Sequence, residues 1–234
     1  MSESVKKSSA GANPPPRRDA ARSRRSILLS ALKEFSKNGH AGARMDVIAE
    51  KAGVSKPMIY SYFGDKDQLY KAALREAYVQ IRAGERQLDL EHLRPDEAIR
   101  SLAAFTQRHF ISKPWFISML NTENMLGGGA VRSMADLGGI QSPLIEQLRQ
   151  VLEAGAAEGM FRADVDPVDF YICIAALCYF PVSNRHTLST VFVKDLNSDW
   201  FEAREEMVGD MLLAYLRPAG GAAADADELG SSLE

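Results

Sequence analysis

Apolar residues recur three and four positions apart through most of the chain, and past Pro95 no convincing strand alternation interrupts them. The pattern predicts an all-α fold. Ile27, Leu28, Ala31, Leu32 and Phe35 mark a first helix that stops at Asn38-Gly39. Met45, Ile48, Ala49 and Ala52 place one stripe on a short second helix, which Gly53 ends where a left-handed residue is needed. Val54 supplies an apolar plug, Ser55 is expected to cap a third helix, and Pro57 sits in its first turn. In that third helix Ile59 and Phe63 must face inward, which leaves Lys56, Pro57, Met58, Tyr60, Ser61 and Tyr62 outward or sideways.

A long helix follows, with Asp65 and Gln68 in the N-cap and N3 places of a capping box. Leu69, Tyr70, Ala73, Leu74, Ala77, Tyr78 and Ile81 carry its stripe, so a single rod would link the short helices to everything beyond. Pro95 then opens a helix to near Ile111 and Pro114 another to near Leu126, and Gly127 to Gly129 and Gly138-Gly139 bracket a short segment. Ile140 to Gly159 is amphipathic, with Leu144, Ile145, Leu148, Val151 and Leu152 inward. Asp166-Pro167 starts a helix that is apolar on all sides from Phe170 to Phe180, which requires buried contacts on two faces. The last helix, from near Asn197 to Leu216, gathers Trp200, Phe201, Met207, Val208, Met211, Leu212 and Tyr215 on one side.

Charge sharpens this division. The net charge of −3 hides a split: residues 1–66 hold 13 Lys and Arg against 6 Asp and Glu, and the remaining 168 hold 15 against 25. A basic front joined to an acidic body is what a small nucleic-acid module on a non-binding domain would give. Arg17, Arg18, Arg22, Arg24 and Arg25 lead into the first helix, either as an arm that follows phosphates or a minor groove or as a solvated helix start. The organisation expected is a disordered arm at 1–16, a small basic unit at 17–66, a larger helical unit at 67–217 and a disordered tail at 218–234.

Other chemistry is thin. Cys173 and Cys178 match no zinc spacing, and neither do His40, His92, His109 and His186; a nucleophile elbow and a phosphate-cradling glycine loop are absent from the sequence. The expectation is no enzyme, no metal and no cofactor. The longest apolar run, Phe170 to Val182, falls short of the roughly 20 residues of a membrane span, and the N-terminus has no secretion signal, so a cytoplasmic protein with no membrane contact is expected.

The spacing of the second and third helices suits a helix-turn-helix, whose second helix enters the DNA major groove, but helical hairpins without DNA share it. The run IAEKAGVSKPMIYSYFGDKDQLY adds more, because it resembles the N-terminal signature of the tetracycline-repressor (TetR) family at Ala52, Gly53, Val54, Ser55, Tyr60, Phe63 and Lys66. The resemblance implies that Lys56, Pro57 and Met58 read base edges or thymine methyls, that Tyr60, Tyr62 and Lys66 contact phosphate, and that Ser55 and Ser61 share the DNA face. Two positions depart from the family. Arg44 stands where Ser or Thr usually caps the helix before the turn, so a phosphate contact stays possible but the cap is lost or must come from elsewhere. Tyr62 replaces a histidine and keeps a ring with a hydrogen-bonding tip.

The same resemblance implies a homodimer joined through the last two long helices, a palindromic double-stranded operator and a small-molecule effector bound inside the C-terminal bundle. Phe105, His109, Phe110, Trp115, Phe116, Met119 and Met125 fall on the segments that would line such a pocket, although aromatics at helical spacing are also ordinary core. His109 and Asn121 are the polar groups among them. The function expected is a dimeric transcriptional regulator, a repressor released by an apolar or aromatic ligand. A ligand-independent regulator or activator, a helical enzyme or carrier with a vestigial head, and a protein-interaction module are the alternatives.

Overall fold

The structure, a computed structural model, describes residues 17–134 and 137–218, and at 17–18 and 137–142 the backbone only. The arm expected at 1–16 and the tail from 219 lie outside the described residues, as do the side chains of Arg17 and Arg18. Every regular element described is helical: α1 (Arg17–Gly42), α2 (Met45–Ala52), α3 (Lys56–Phe63), α4 (Lys66–Glu85), α5 (Pro95–Ser112), α6 (Pro114–Met125), α7 (Gly129–Arg132), α8 (Leu137–Ala157), α9 (Pro167–Ser183), α10 (Arg185–Val191) and α11 (Ser198–Leu216). Two 3-10 turns, Arg86–Leu88 and Leu90–His92, connect α4 to α5.

The predicted stop at Asn38-Gly39 is a break inside α1, where Gly39 takes φ 64 and ψ −179 before one more turn forms. α1, α2 and α3 close on the start of α4 over Ile27, Phe35, Ile48, Ile59 and Leu69, all buried. Burying side chains of this size contributes about 1.5–3 kcal/mol each, enough to hold three short helices only because α4 supplies the fourth wall. Glu34 is the exception in this core. Its carboxylate accepts from Asn38 Nδ2 (2.8 Å), Lys51 Nζ (3.1 Å) and the backbone N–H of Arg44 (3.3 Å), pinning α1 to both ends of α2. Burial pushes its pKa up, but those hydrogen bonds outweigh burial and hold it below the ordinary carboxyl value.

α4 runs on into the bundle, where Arg82 and Glu85 are buried side by side. Arg82 donates to Glu85 (2.7 Å) and to the Tyr171 hydroxyl on α9 (3.0 Å), and its guanidinium also stacks over the Tyr171 ring. Glu123 on α6 forms a second buried tie. One of its oxygens accepts the backbone N–H groups of Ala130 (2.7 Å) and Val131 (3.1 Å) in α7, and the other accepts from Tyr70 of α4 (3.2 Å). Three elements therefore meet on a single carboxylate.

Several expectations change here. α9 is not buried all round: Phe170, Ile174 and Cys178 face the core, whereas Val168, Ile172 and Phe180 face solvent. The apolar residues of α11 divide in the same way, Phe201, Val208 and Leu212 inward and Met207, Met211 and Tyr215 outward, because a helix packed along one side cannot bury a stripe that wide. α10 was not expected, since RHTLSTV has too few apolar positions to show a period. No single helix among the described residues is long and apolar enough to cross a membrane; α9 and α10 pass that test as a pair but meet at a bend of 68°.

Candidate nucleic-acid interface and regulatory cleft

Gly53 sits at φ 68, ψ 33, and its N–H bonds back to Ala49 and Glu50, so the chain turns sharply from α2 into α3. Only a residue without a Cβ penalty adopts that conformation freely. Ile59 and Phe63 anchor α3, and the anchoring turns Lys56, Pro57, Tyr60 and Ser61 outward, with Met58 and Tyr62 half-buried at the flanks. Tyr60 is 45% exposed, an aromatic standing in solvent beside a lysine.

The N-terminal edges differ from expectation. Ser55 has the extended backbone of a cap, yet its side chain makes no capping bond: Pro57 has no N–H to offer, and the Met58 N–H goes to the Ser55 carbonyl (3.0 Å). At α2 Arg44 makes no side-chain capping bond, and the Glu34 carboxylate on α1 accepts the Arg44 backbone N–H instead. The Arg44 guanidinium itself is engaged, with its Nη2 2.6 Å from Asp46. That hydrogen bond, more than the Coulomb attraction, lowers the Asp46 pKa and raises that of Arg44. Asp65 caps α4 as expected, accepting from the Gln68 backbone N–H at 2.7 Å. Lys66 donates to the Ala41 carbonyl at the end of α1 (3.2 Å), which places it where two helices of the head meet.

The basic lead-in splits into separate roles. Arg24 lies 4.7 Å over the Phe63 ring and donates to the Tyr62 carbonyl (3.4 Å), so it clamps the end of α3. Arg22 stands loosely by Asp19 at 3.8 Å, and Arg25 is exposed.

In the bundle, the seven residues expected to line a pocket separate. Phe110, Phe116 and Met119 are core, and Phe110 and Phe116 stack 5.9 Å apart. Trp115 packs edge-on against Phe116 (6.1 Å). Met125 does not belong with them: it ends α6, 88% exposed, two residues past the last buried position, Glu123. Asn121 is occupied in holding α6 to α9, accepting from the Tyr179 hydroxyl and donating to Ser183 Oγ (3.1 Å). Phe105 and His109 do border a cleft of about 410 Å³, together with Leu88, Ser101, Ala104, Arg108, Ser112 and Lys113. His109 is buried and its Nε2 has no hydrogen-bond partner. Burial first, and then the charges of Lys113 and Arg82, press its pKa down to about 4, so the ring is neutral near pH 7.

Glu34, Glu123 and Lys113 escaped sequence reasoning. The first two left a trace, because Glu34 continues the stripe of Ile27 and Ala31 and Glu123 that of Phe116 and Met119. An acid at a buried register needs partners. Lys113 left none.

The α2–turn–α3 geometry, seated on a buried base and presenting a polar and aromatic row, defines a helix-turn-helix DNA-binding protein. Comparison with known proteins gives the family. Residues 27–73 match the model for bacterial regulatory proteins of the tetR family, and residues 95–212 match the tetracyclin repressor-like C-terminal domain. The chain belongs to the TetR family of transcriptional regulators. It is 37% identical over 203 residues to the HTH-type transcriptional repressor NicS of Pseudomonas putida, covering 85% of this chain and 94% of that one. The HTH-type transcriptional activator FasR of Mycolicibacterium smegmatis is 41% identical over 61 residues, 26% of this chain and 28% of its own. Among solved structures, a putative transcriptional regulator of Streptomyces coelicolor superposes with a TM-score of 0.62 at 22% identity, covering 84% of this chain and 99% of that one.

Proposed function

We propose that the protein is a cytoplasmic, non-enzymatic homodimeric repressor that grips a palindromic operator and lets go when a small molecule enters the bundle. The observation that carries the DNA half is the exposed row Lys56, Pro57, Tyr60 and Ser61 on a helix locked from behind by Ile59 and Phe63. Such a row has no structural task in the head. Lys56, Pro57 and Met58 read base edges at the N-terminal end of α3, and Tyr60, Tyr62, Lys66 and Arg44 hold phosphates, with Ser55 and Ser61 beside them. Repression rather than activation follows the relative that matches along nearly its whole length, which is named a repressor.

A dimer is supported by the solvent-facing residues of α9 and α11. Phe170 of α9 stacks on Tyr215 of α11 at 6.0 Å, so the two helices touch, and each has apolar residues in solvent, Ile172 on α9 and Met207 and Met211 on α11. α4 is the connection between the two functions, with Lys66 at its DNA end and Arg82 and Glu85 at its bundle end. A ligand that prefers one tilt of α4 shifts the population between gripping and released dimers.

Selection from a random duplex library, repeated at several salt concentrations, tests this directly. A palindromic winner with steep salt dependence is expected; binding indifferent to sequence and salt would end the proposal. On the selected site, Lys66→Ala weakens binding to all sequences, whereas Met58→Ala alters preference among them.

A further inference from the structure

The cleft beside α5 carries information about the ligand class, on the footing of the reading that a small molecule releases the DNA. Its charges are unbalanced. Arg108 is neutralised by Glu205, which takes its Nε (2.9 Å) and Nη2 (2.7 Å). Arg82, behind His109, is matched by Glu85. Lys113, half-buried at the junction of α5 and α6, has no carboxylate in ion-pair range among the described residues, and no Asp or Glu lines the cleft. One ammonium is therefore left over, and burial lowers its pKa because nothing opposes the charge.

The uncharged walls have a definite form as well. The tip of the Phe105 ring abuts α4: a Cβ added to Gly84 would stand 2.5 Å from its Cζ and 2.8 Å from its Cε2, so the ring edge meets bare backbone. His109, on the same wall, is 5.8 Å from Phe105, and its buried Nε2 has no partner, which leaves one neutral hydrogen bond unused. The volume of about 410 Å³ lies near the lower end of the roughly 300–1,000 Å³ usual for small-molecule sites. We infer that the cleft takes a small aromatic monocarboxylate, its ring against Phe105 and its carboxylate on Lys113 and His109. A dianion would leave a charge unmatched, and a cation would meet Lys113. Because Phe105 touches α4 with no side chain between, an occupant that displaces the ring also pushes the helix that carries Lys66.

The test uses the full-length protein with benzoate, benzamide and benzylamine as probes, read by thermal shift and by fluorescence anisotropy on the selected operator. Benzoate is expected to raise the melting temperature and release the duplex, with benzamide at least about tenfold weaker and benzylamine inactive. Lys113→Met should bring benzoate and benzamide to near parity while leaving far-UV circular dichroism and operator affinity unchanged, and Lys113→Arg should retain the preference. Benzamide or benzylamine binding as well as benzoate would overturn the carboxylate class, and their releasing DNA would leave the ligand-controlled repressor standing. If no probe shifts melting, the class is likewise overturned, and the DNA-binding proposal is judged separately by the duplex selection.

Discussion

At the N-terminal end of α4 nearly every large apolar side chain is buried and the surface that remains is polar, with Tyr60 and Leu29 the exposed exceptions. At the other end the arrangement is reversed: Ile172, Phe180, Met207 and Met211 face solvent, while His109 Nε2, Arg82 Nε and Gln107 Oε1 are buried without partners. The head is satisfied by itself, and the bundle has both apolar surface and polar groups left over. Such leftovers carry a cost in an isolated chain, about 1–3 kcal/mol for each unpaired buried polar group. A unit of the first kind suits a part that must keep one shape to read DNA. A unit of the second kind suits a part whose shape depends on what it meets.

The largest test of that contrast is to put charge on the outward face of the bundle. Ile172→Asp combined with Met211→Asp should yield a folded monomer by sedimentation, with operator affinity reduced by about 10²–10⁴ because two half-sites no longer act together. A double variant that stays dimeric would show that the exposed face of α9 and α11 is not where the copies join.

His109 gives the next largest effect, and the sign follows from proton counting. Its folded pKa of about 4 lies below the ordinary 6.5, so between those values the unfolded chain binds more protons than the folded one. Stability is therefore fully present above about 6.5 and falls as pH is lowered toward about 4, by up to roughly 3 kcal/mol. His109→Phe removes that component, which denaturant melts at pH 7 and pH 4.5 would register as a smaller loss on acidification. Parallel losses in both proteins would mean that the ring is not held neutral. Glu34 acts lower on the scale: its depressed folded pKa gives stability present above the ordinary carboxyl value and lost as pH falls through the folded one.

How much of this was legible in the sequence follows the same division. The head could be read residue by residue because its determinants are local: Gly53 at its left-handed corner, Asp65 on the Gln68 N–H, Ile59 and Phe63 four apart. Ser55 does occupy the N-cap place, but cap preference is a statistical tendency and its side chain accepts no N–H. In the bundle, periodicity located the helices but not which face met which neighbour. Met125 falls on an aromatic-rich segment and ends in solvent, whereas Glu123, two residues earlier, is buried at 3% exposure. Lys113 was invisible, because its significance lies in carboxylates that fold elsewhere.

Tyr70→Phe probes the seam between the two regions. It removes the hydroxyl that donates to Glu123 and leaves the α7 N–H groups on the other oxygen, so the expected cost is about 1 kcal/mol. The denaturant midpoint reads this loss. The variant also severs a link between α4 and α6 without touching the DNA face, so operator affinity in the absence of effector should stay within about twofold, while the effector concentration needed for release should change. Unchanged release would place the coupling elsewhere, with the Phe105 contact on Gly84 as the next suspect.

The smallest effect concerns Arg44, proposed as a phosphate contact but bound to Asp46. Solvent screens an exposed pair of this kind, so opening it on DNA is cheap. Asp46→Asn should free the guanidinium and improve operator binding by only about a few-fold. Affinity alone would be ambiguous, because deleting an acid near DNA helps whatever Arg44 does. The salt dependence separates the two causes: a new phosphate contact steepens the slope of log K against log salt by about 0.9, and the gain must vanish when Arg44→Ala is added. If Asp46→Asn helps equally with and without Arg44, the arginine is no phosphate ligand, and its pairing with Asp46 serves only to close the start of α2.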